Sequence, residues 1–163
     1  MKTRFIPLFL LGVLAAVGLS AQTKASGTCQ CKTDPASPPP VALIDKPDHS
    51  FAVGKAQCTW TNWVIAGTQA KDGTSTDLDE ISGDTVSVRG YHVATMTNGD
   101  TWVAKYQGSF KTKDGKPVSG EGTWTFTSGT GKLKGIKGKG TYKGTANADG
   151  SVSYKVDGDY QLP

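Results

Sequence analysis

Histidine is scarce in this chain: His49 and His92 are the two among 163 residues, and no Gly-x-Ser-x-Gly elbow accompanies the many serines. A nucleophile–histidine–acid triad needs an imidazole beside an activated hydroxyl, so hydrolysis by that route finds no support. No cofactor-binding motif stands out either. Long apolar runs are lacking too. The one candidate, residues 5 to 19, is broken by Pro7, Gly12 and Gly18 and falls short of the ~20 residues that a membrane-spanning helix needs. No segment sustains the 3.6-residue apolar period of a helix. Strong charge is also missing. Without Lys2 and Arg4 the balance is 16 basic against 14 acidic residues, near +2, too weak for global electrostatic binding of nucleic acid.

What is present begins with a targeting pattern. Lys2 and Arg4 precede the apolar stretch, which ends in the small residues Ser20 and Ala21; this is the layout of a secretory signal peptide, residues 1–21, with cleavage expected after Ala21. The expected location is therefore exported, periplasmic or secreted. Such a compartment permits disulfides, and the three cysteines Cys29, Cys31 and Cys58 leave one over. A Cys29–Cys31 bridge would close a very tight ring, so one of that pair is expected to bond Cys58. A zinc site of these thiols with His49 is the alternative, but the intervals match no familiar spacing.

Residues 22–48 carry Pro35, Pro38, Pro39, Pro40 and Pro47 without an apolar period, and read as a flexible Pro-rich tail. From residue 49 to 163 the chain alternates. Strands are expected near 50–54, 56–66, 76–82, 84–97, 101–112, 117–128, 138–146 and 151–161, with a single helical turn over 132–137. The pairs Asn98-Gly99, Asp114-Gly115 and Asp149-Gly150 sit between alternating runs as hairpin turns. A three-residue loop, Thr97-Asn98-Gly99, keeps even positions beside even ones and gives one continuous apolar face. That face also carries glycines: Gly90, Gly108, Gly120, Gly122, Gly138, Gly140, Gly144 and Gly158. An inward glycine leaves room for a bend or for a neighbouring aromatic ring.

The stretch from Gly122 to Tyr142 contains Trp124-Thr125-Phe126, then Gly129-Thr130-Gly131, then Gly138-Lys139-Gly140. It resembles the corresponding region of the allene oxide cyclase and dirigent-like barrels, where a strand ends in a Gly-Thr-Gly turn followed by a short bent segment and a glycine-bearing strand. The resemblance, strongest to small exported bacterial members, implies an all-β fold: a single eight-stranded antiparallel barrel of calycin type. No position outside the turn motif matches the plant enzymes' functional residues.

On the inward face, His92, Trp102, Tyr106, Phe110, Trp124, Phe126, Tyr142 and Tyr154 are the candidate lining of the lumen. His92 could orient a ligand or shuttle a proton; the simpler reading is a core histidine hydrogen-bonded to a neighbour. Asp72, Asp77, Asp79, Glu80 and Asp84 miss the EF-hand spacing and read as a solvated loop. Lys132, Lys134, Lys137, Lys139 and Lys143 read as outward charges protecting a β edge. No metal, cofactor or catalytic residue is assigned. The expected function is a binding or scaffold barrel with a narrow aromatic lumen for a small apolar ligand. The alternative is a cyclase- or isomerase-like enzyme on a small hydrophobic substrate.

Overall fold

The computed structural model describes residues 22–163, so the expected signal peptide lies outside the described residues. Ten strands follow in order: β1 (Thr23–Thr33), β2 (Val41–Ala42), β3 (His49–Thr61), β4 (Val64–Ile65), β5 (Thr68–Ser82), β6 (Thr85–Met96), β7 (Thr101–Lys113), β8 (Lys116–Gly129), β9 (Lys137–Ala146) and β10 (Val152–Gln161). A short helical turn, Gly131–Leu133, lies between β8 and β9. Eight of the strands close a ring in which every pairing is antiparallel: β1, β3, β5, β6, β7, β8, β9, β10 and back to β1. The expected eight-stranded barrel is thus the fold, and closure removes the sheet edges that would otherwise be free to pair.

The boundaries expected for its first strands need correction. Residues 22–48 are not simply a tail, because β1 is a full barrel stave, paired with β10 from Thr23↔Tyr160 to Cys31↔Val152 and with β3 from Thr28↔Thr61 to Thr33↔Ala56. The barrel therefore runs from residue 23, not 49. Its alternation is carried by Ala25, Gly27, Cys29 and Cys31, which alternate in burial with exposed neighbours but are too small to register as an apolar period. The two strands expected at 50–54 and 56–66 are one, β3, which ends at a turn where Asn62 takes φ 61°. The proline-rich stretch returns alongside β3, with Val41 and Ala42 pairing with Phe51 and Ser50.

Register follows from the turns. Between β6 and β7, Met96 N–H donates to the Asp100 carbonyl (2.8 Å) and Gly99 N–H to the Met96 carbonyl (3.0 Å), with Gly99 at φ +88°. This is the three-residue loop that the apolar face requires, and it sets His92 opposite Ala104 and Gly90 opposite Tyr106. Between β5 and β6 the loop is two residues, Gly83-Asp84, and Ser82 pairs with Thr85. There the parity flips, and odd positions of β5 join even positions of β6 on the inner face.

Inward glycines lie beneath aromatic rings. The Trp124 ring covers Gly140 and Gly158, Tyr142 covers Gly108 and Gly122, Phe110 covers Gly120, and Tyr154 lies over Gly144. Each ring lies across glycine staves beside it, so the barrel wall is thin where the rings are thick. Burial rises along β3, β6 and β8 toward their C-terminal ends and falls along β7. One end is therefore closed, by Trp63, Ile65, Ala70, Met96, Leu133 and Ile136. The Trp63 backbone packs directly on Gly27, where an added Cβ would stand 2.8 Å from the Trp63 nitrogen.

The lysines serve no edge. β9 has neighbours on both sides, with Lys143 flanked by Glu121 and Lys155 and Lys139 by Asp159 and Thr125. Lys137, Lys139 and Lys143 are solvated outward charges on a closed wall, and Lys132 and Lys134 lie exposed in the connection before it.

Candidate ligand-binding lumen

A cavity of about 120 Å³ occupies the barrel interior. All eight residues singled out on the inward face, His92, Trp102, Tyr106, Phe110, Trp124, Phe126, Tyr142 and Tyr154, line it. Parity brought them together: each sits at an even position of β6 to β10, and the loops joining those strands preserve parity once bulges are counted. Toward the closed end the rings stack edge to face. Trp102 meets Trp60 at 5.5 Å and Phe126 at 5.3 Å, and Trp124 meets Trp63 at 5.6 Å and Phe126 at 4.8 Å between centroids. Contacts of this geometry add stabilisation beyond the apolar area they bury. The indole N–H groups of Trp63, Trp102 and Trp124 have no hydrogen-bond acceptor and lie within this stack.

Val88, Ala104 and Val156, on the same even apolar face, also line it, whereas Cys29, Cys31, Ala56, Trp60, Trp63, Ser75 and Asp77 were not foreseen. Ser75 and Asp77 belong to β5, where the two-residue Gly83-Asp84 turn puts odd positions inward. The acidic stretch is therefore not a solvated loop, except for Asp84 in the exposed turn after β5. Asp72 to Glu80 lie on β5, Asp77 lines the cavity, and the Asp77 and Asp79 side chains both border the inner face at Gly54 of β3. The turn signal that reveals this was in the sequence.

A directed hydrogen-bond chain runs along the wall. Trp60 Nε1–H donates to His92 Nε2 at 3.0 Å. That acceptor role leaves the imidazole proton on Nδ1, which donates to Ser75 Oγ at 2.9 Å. Farther along the same wall the Tyr106 hydroxyl donates to Asp77 Oδ2. Burial pushes His92 down to about 4, so it is neutral at physiological pH. The core-histidine reading fits this placement. Burial also raises Tyr106, reinforced by the Asp77 charge, and raises Asp77 against the lowering effect of the Tyr106 hydrogen bond. Asp79 is raised to about 7, by burial first and by the Asp77 charge second.

Of the cysteines, Cys31 and Cys58 are bonded, directly opposite each other on β1 and β3. Cys29 stays a buried thiol, pushed up to about 12 by burial, with its sulfur 4.0 Å from that of Cys31. His49 sits at the other end of β3, held by Asp45 at 2.8 Å and Glu80 at 3.0 Å, so the thiols and this imidazole do not form one site.

No family model matches the chain, and no curated protein matches it. Among solved structures it is similar to a protein of unknown function of the DUF3224 family from Shewanella oneidensis MR-1, at 13% identity over 88% of this chain and 100% of that one, with a TM-score of 0.53. A second likeness, at 13% identity over 99% of this chain and 98% of the other, is to the pterocarpan synthase dirigent protein GePTS1, with a TM-score of 0.48. Identity at this level speaks for architecture alone, and the barrel fits the resemblance that the Gly122 to Tyr142 stretch carries.

Proposed function

We propose that this protein is an exported binding barrel whose lumen takes one small, largely apolar ligand of about the size of a single aromatic ring. The observation that carries the reading is the cavity of about 120 Å³ walled by Trp60, Trp102, Trp124, Phe126 and their neighbours. A dry cavity of ~150 Å³ with apolar walls holds a benzene-sized guest, and concave aromatic sites with few polar groups are where small ligands bind. Eight strands leave an interior of this scale.

The test is a titration of intrinsic tryptophan fluorescence with single-ring compounds, repeated on Ala104→Phe, which places a ring inside the cavity. Saturable quenching that the variant loses, with its β-sheet spectrum intact, supports the reading; no saturable response in the parent protein overturns it. Export rests on the disulfide and on the targeting pattern of residues 1–21. The mass of protein recovered from its own host checks it, with Gln22 expected as the first residue.

A cyclase- or isomerase-like enzyme is the second reading. One observation favours it: the Tyr106–Asp77 pair places a proton donor and acceptor on the cavity wall. Recovery of a bound compound chemically altered, read by mass spectrometry, would move the assignment to this reading.

A further inference from the structure

The charge inside the barrel is of one sign. Asp77 and Asp79 project from β5 on the inner face, and Asp79 Oδ2 lies 3.5 Å from the point where a Cβ of Gly54 would stand, a point that Asp77 Oδ1 crowds still more closely. Glycine at 54, opposite Asp77, is what leaves room for the two carboxylates. Neither takes part in an ion pair among the described residues. Arg89 stands opposite Leu78 and Gln107 on the alternate, outward register, and the one imidazole on the cavity wall is neutral. A carboxylate withdrawn from water without a cation costs free energy, and here two are placed together.

A second group at this level also lacks a partner. Tyr142 is 7% exposed and its hydroxyl has no hydrogen bond. Its ring crosses Gly122 and its oxygen reaches Gly108. Along that rung of the barrel the next residues are Val88 and then Asp79, so the hydroxyl points toward the Asp79 side of the lumen. Phe110, Tyr106 and Tyr154 supply aromatic faces on the same cavity. Carboxylates beside aromatic faces are the two elements that hold an ammonium group: charge-assisted hydrogen bonds from one, ring quadrupoles from the other.

We propose that the ligand of this lumen is an organic ammonium ion, with its charged head between Asp77, Asp79 and the Tyr142 oxygen and its apolar body among Trp60, Trp102, Trp124 and Phe126. The proposal rests on the lumen-binding reading and narrows it to one chemical class. A neutral ring of the same shape fills the apolar part but leaves the carboxylates unpaired, and an anion meets them as like charge.

The experiment compares three probes of one ring each by calorimetry at pH 8 and low salt: benzylammonium, benzyl alcohol and benzoate. Benzylammonium should bind at least about tenfold more tightly than benzyl alcohol, with benzoate the weakest. Asp77→Asn and Asp79→Asn should each bring the ratio of the first two affinities toward one. Should Asp77→Asn fail to fold because Tyr106 loses its charged acceptor, Asp79→Asn still decides. Equal affinities for benzylammonium and benzyl alcohol, or a ratio unmoved in Asp79→Asn, would overturn the cation assignment and leave lumen binding standing. No binding of any probe would remove both.

Discussion

Neutralising Asp79 should stabilise the barrel, by an amount that grows as pH rises from about 4 to about 7. In the folded protein its carboxyl keeps the proton up to about pH 7, against an ordinary value of 3.8. The folded state therefore binds more protons than the unfolded state between those limits, and this group's contribution to stability falls as pH rises through that window. Three pH units at about 1.4 kcal/mol each set a ceiling of ~4 kcal/mol. The side chain is only partly buried, so solvent screening brings the expected gain to roughly 1–2 kcal/mol. For a domain of this size that is about 3–8 °C in Tm. The groups sharing its space are Asp77 from β5, Tyr106 from β7, Tyr142 from β9 and Tyr154 from β10; β3 and β6 present Ala52, Gly54, Val88 and Gly90, which do not titrate. His92 titrates oppositely: depressed to about 4, it loses stability as pH falls from the ordinary 6.5 toward 4. The wild-type profile thus mixes two opposed slopes. The informative quantity is the Tm of Asp79→Asn minus that of the wild type, by calorimetric scans from pH 4 to 8. It should sit near zero at pH 4 and grow positive by pH 8. A difference that is independent of pH, or negative at pH 8, would refute the burial of an unpaired charge.

Other perturbations report on separate parts of the molecule. Reducing the Cys31–Cys58 bond, which closes a 27-residue separation, should cost about 3–4 kcal/mol, read from denaturant midpoints with and without reductant. Gly108→Ala drives a methyl into the Tyr142 hydroxyl and the Glu121 carbonyl and should cost about 1–3 kcal/mol; an unchanged urea midpoint would show that the ring does not lie there. Cys29, buried and pushed up to about 12, should resist iodoacetamide at pH 8 in folded protein and react on denaturation, as mass spectrometry of the alkylated chain will record.

How legible the site was depended on parity. From β6 onward, even positions stay inward because the loops at Asn98-Gly99 and Asp149-Gly150 span three residues, and the Asp114-Gly115 turn of two is offset by a bulge near Thr112. Eight lining residues could therefore be named from alternation alone. One turn earlier the rule reverses. Gly83-Asp84 swaps parity, and Asp77 and Asp79, which look like solvated charges in sequence, point inward. Charge is a poor guide where a glycine on the opposite strand makes room for it. The first stave was missed for another reason. Ala25, Gly27, Cys29 and Cys31 bury little area each, and prolines follow them, so composition suggested a tail where the fold has a wall. Trp63 closes the barrel from a turn, and no alternation marks a residue outside a strand.

The ring of strands joins its first stave to its last. Thr23 pairs with Tyr160, so the first stave made during synthesis must wait for the last before the barrel can close, and contacts so distant in sequence form slowly. Until then β1 has a single local partner, β3, and the Cys31–Cys58 bond joins that pair across only 27 positions. Oxidation can therefore precede closure. A chain emerging amino terminus first can dock β1 on β3 covalently and hold the seam open for β10, so the staple acts as a guide for assembly order as well as a brace for the finished wall.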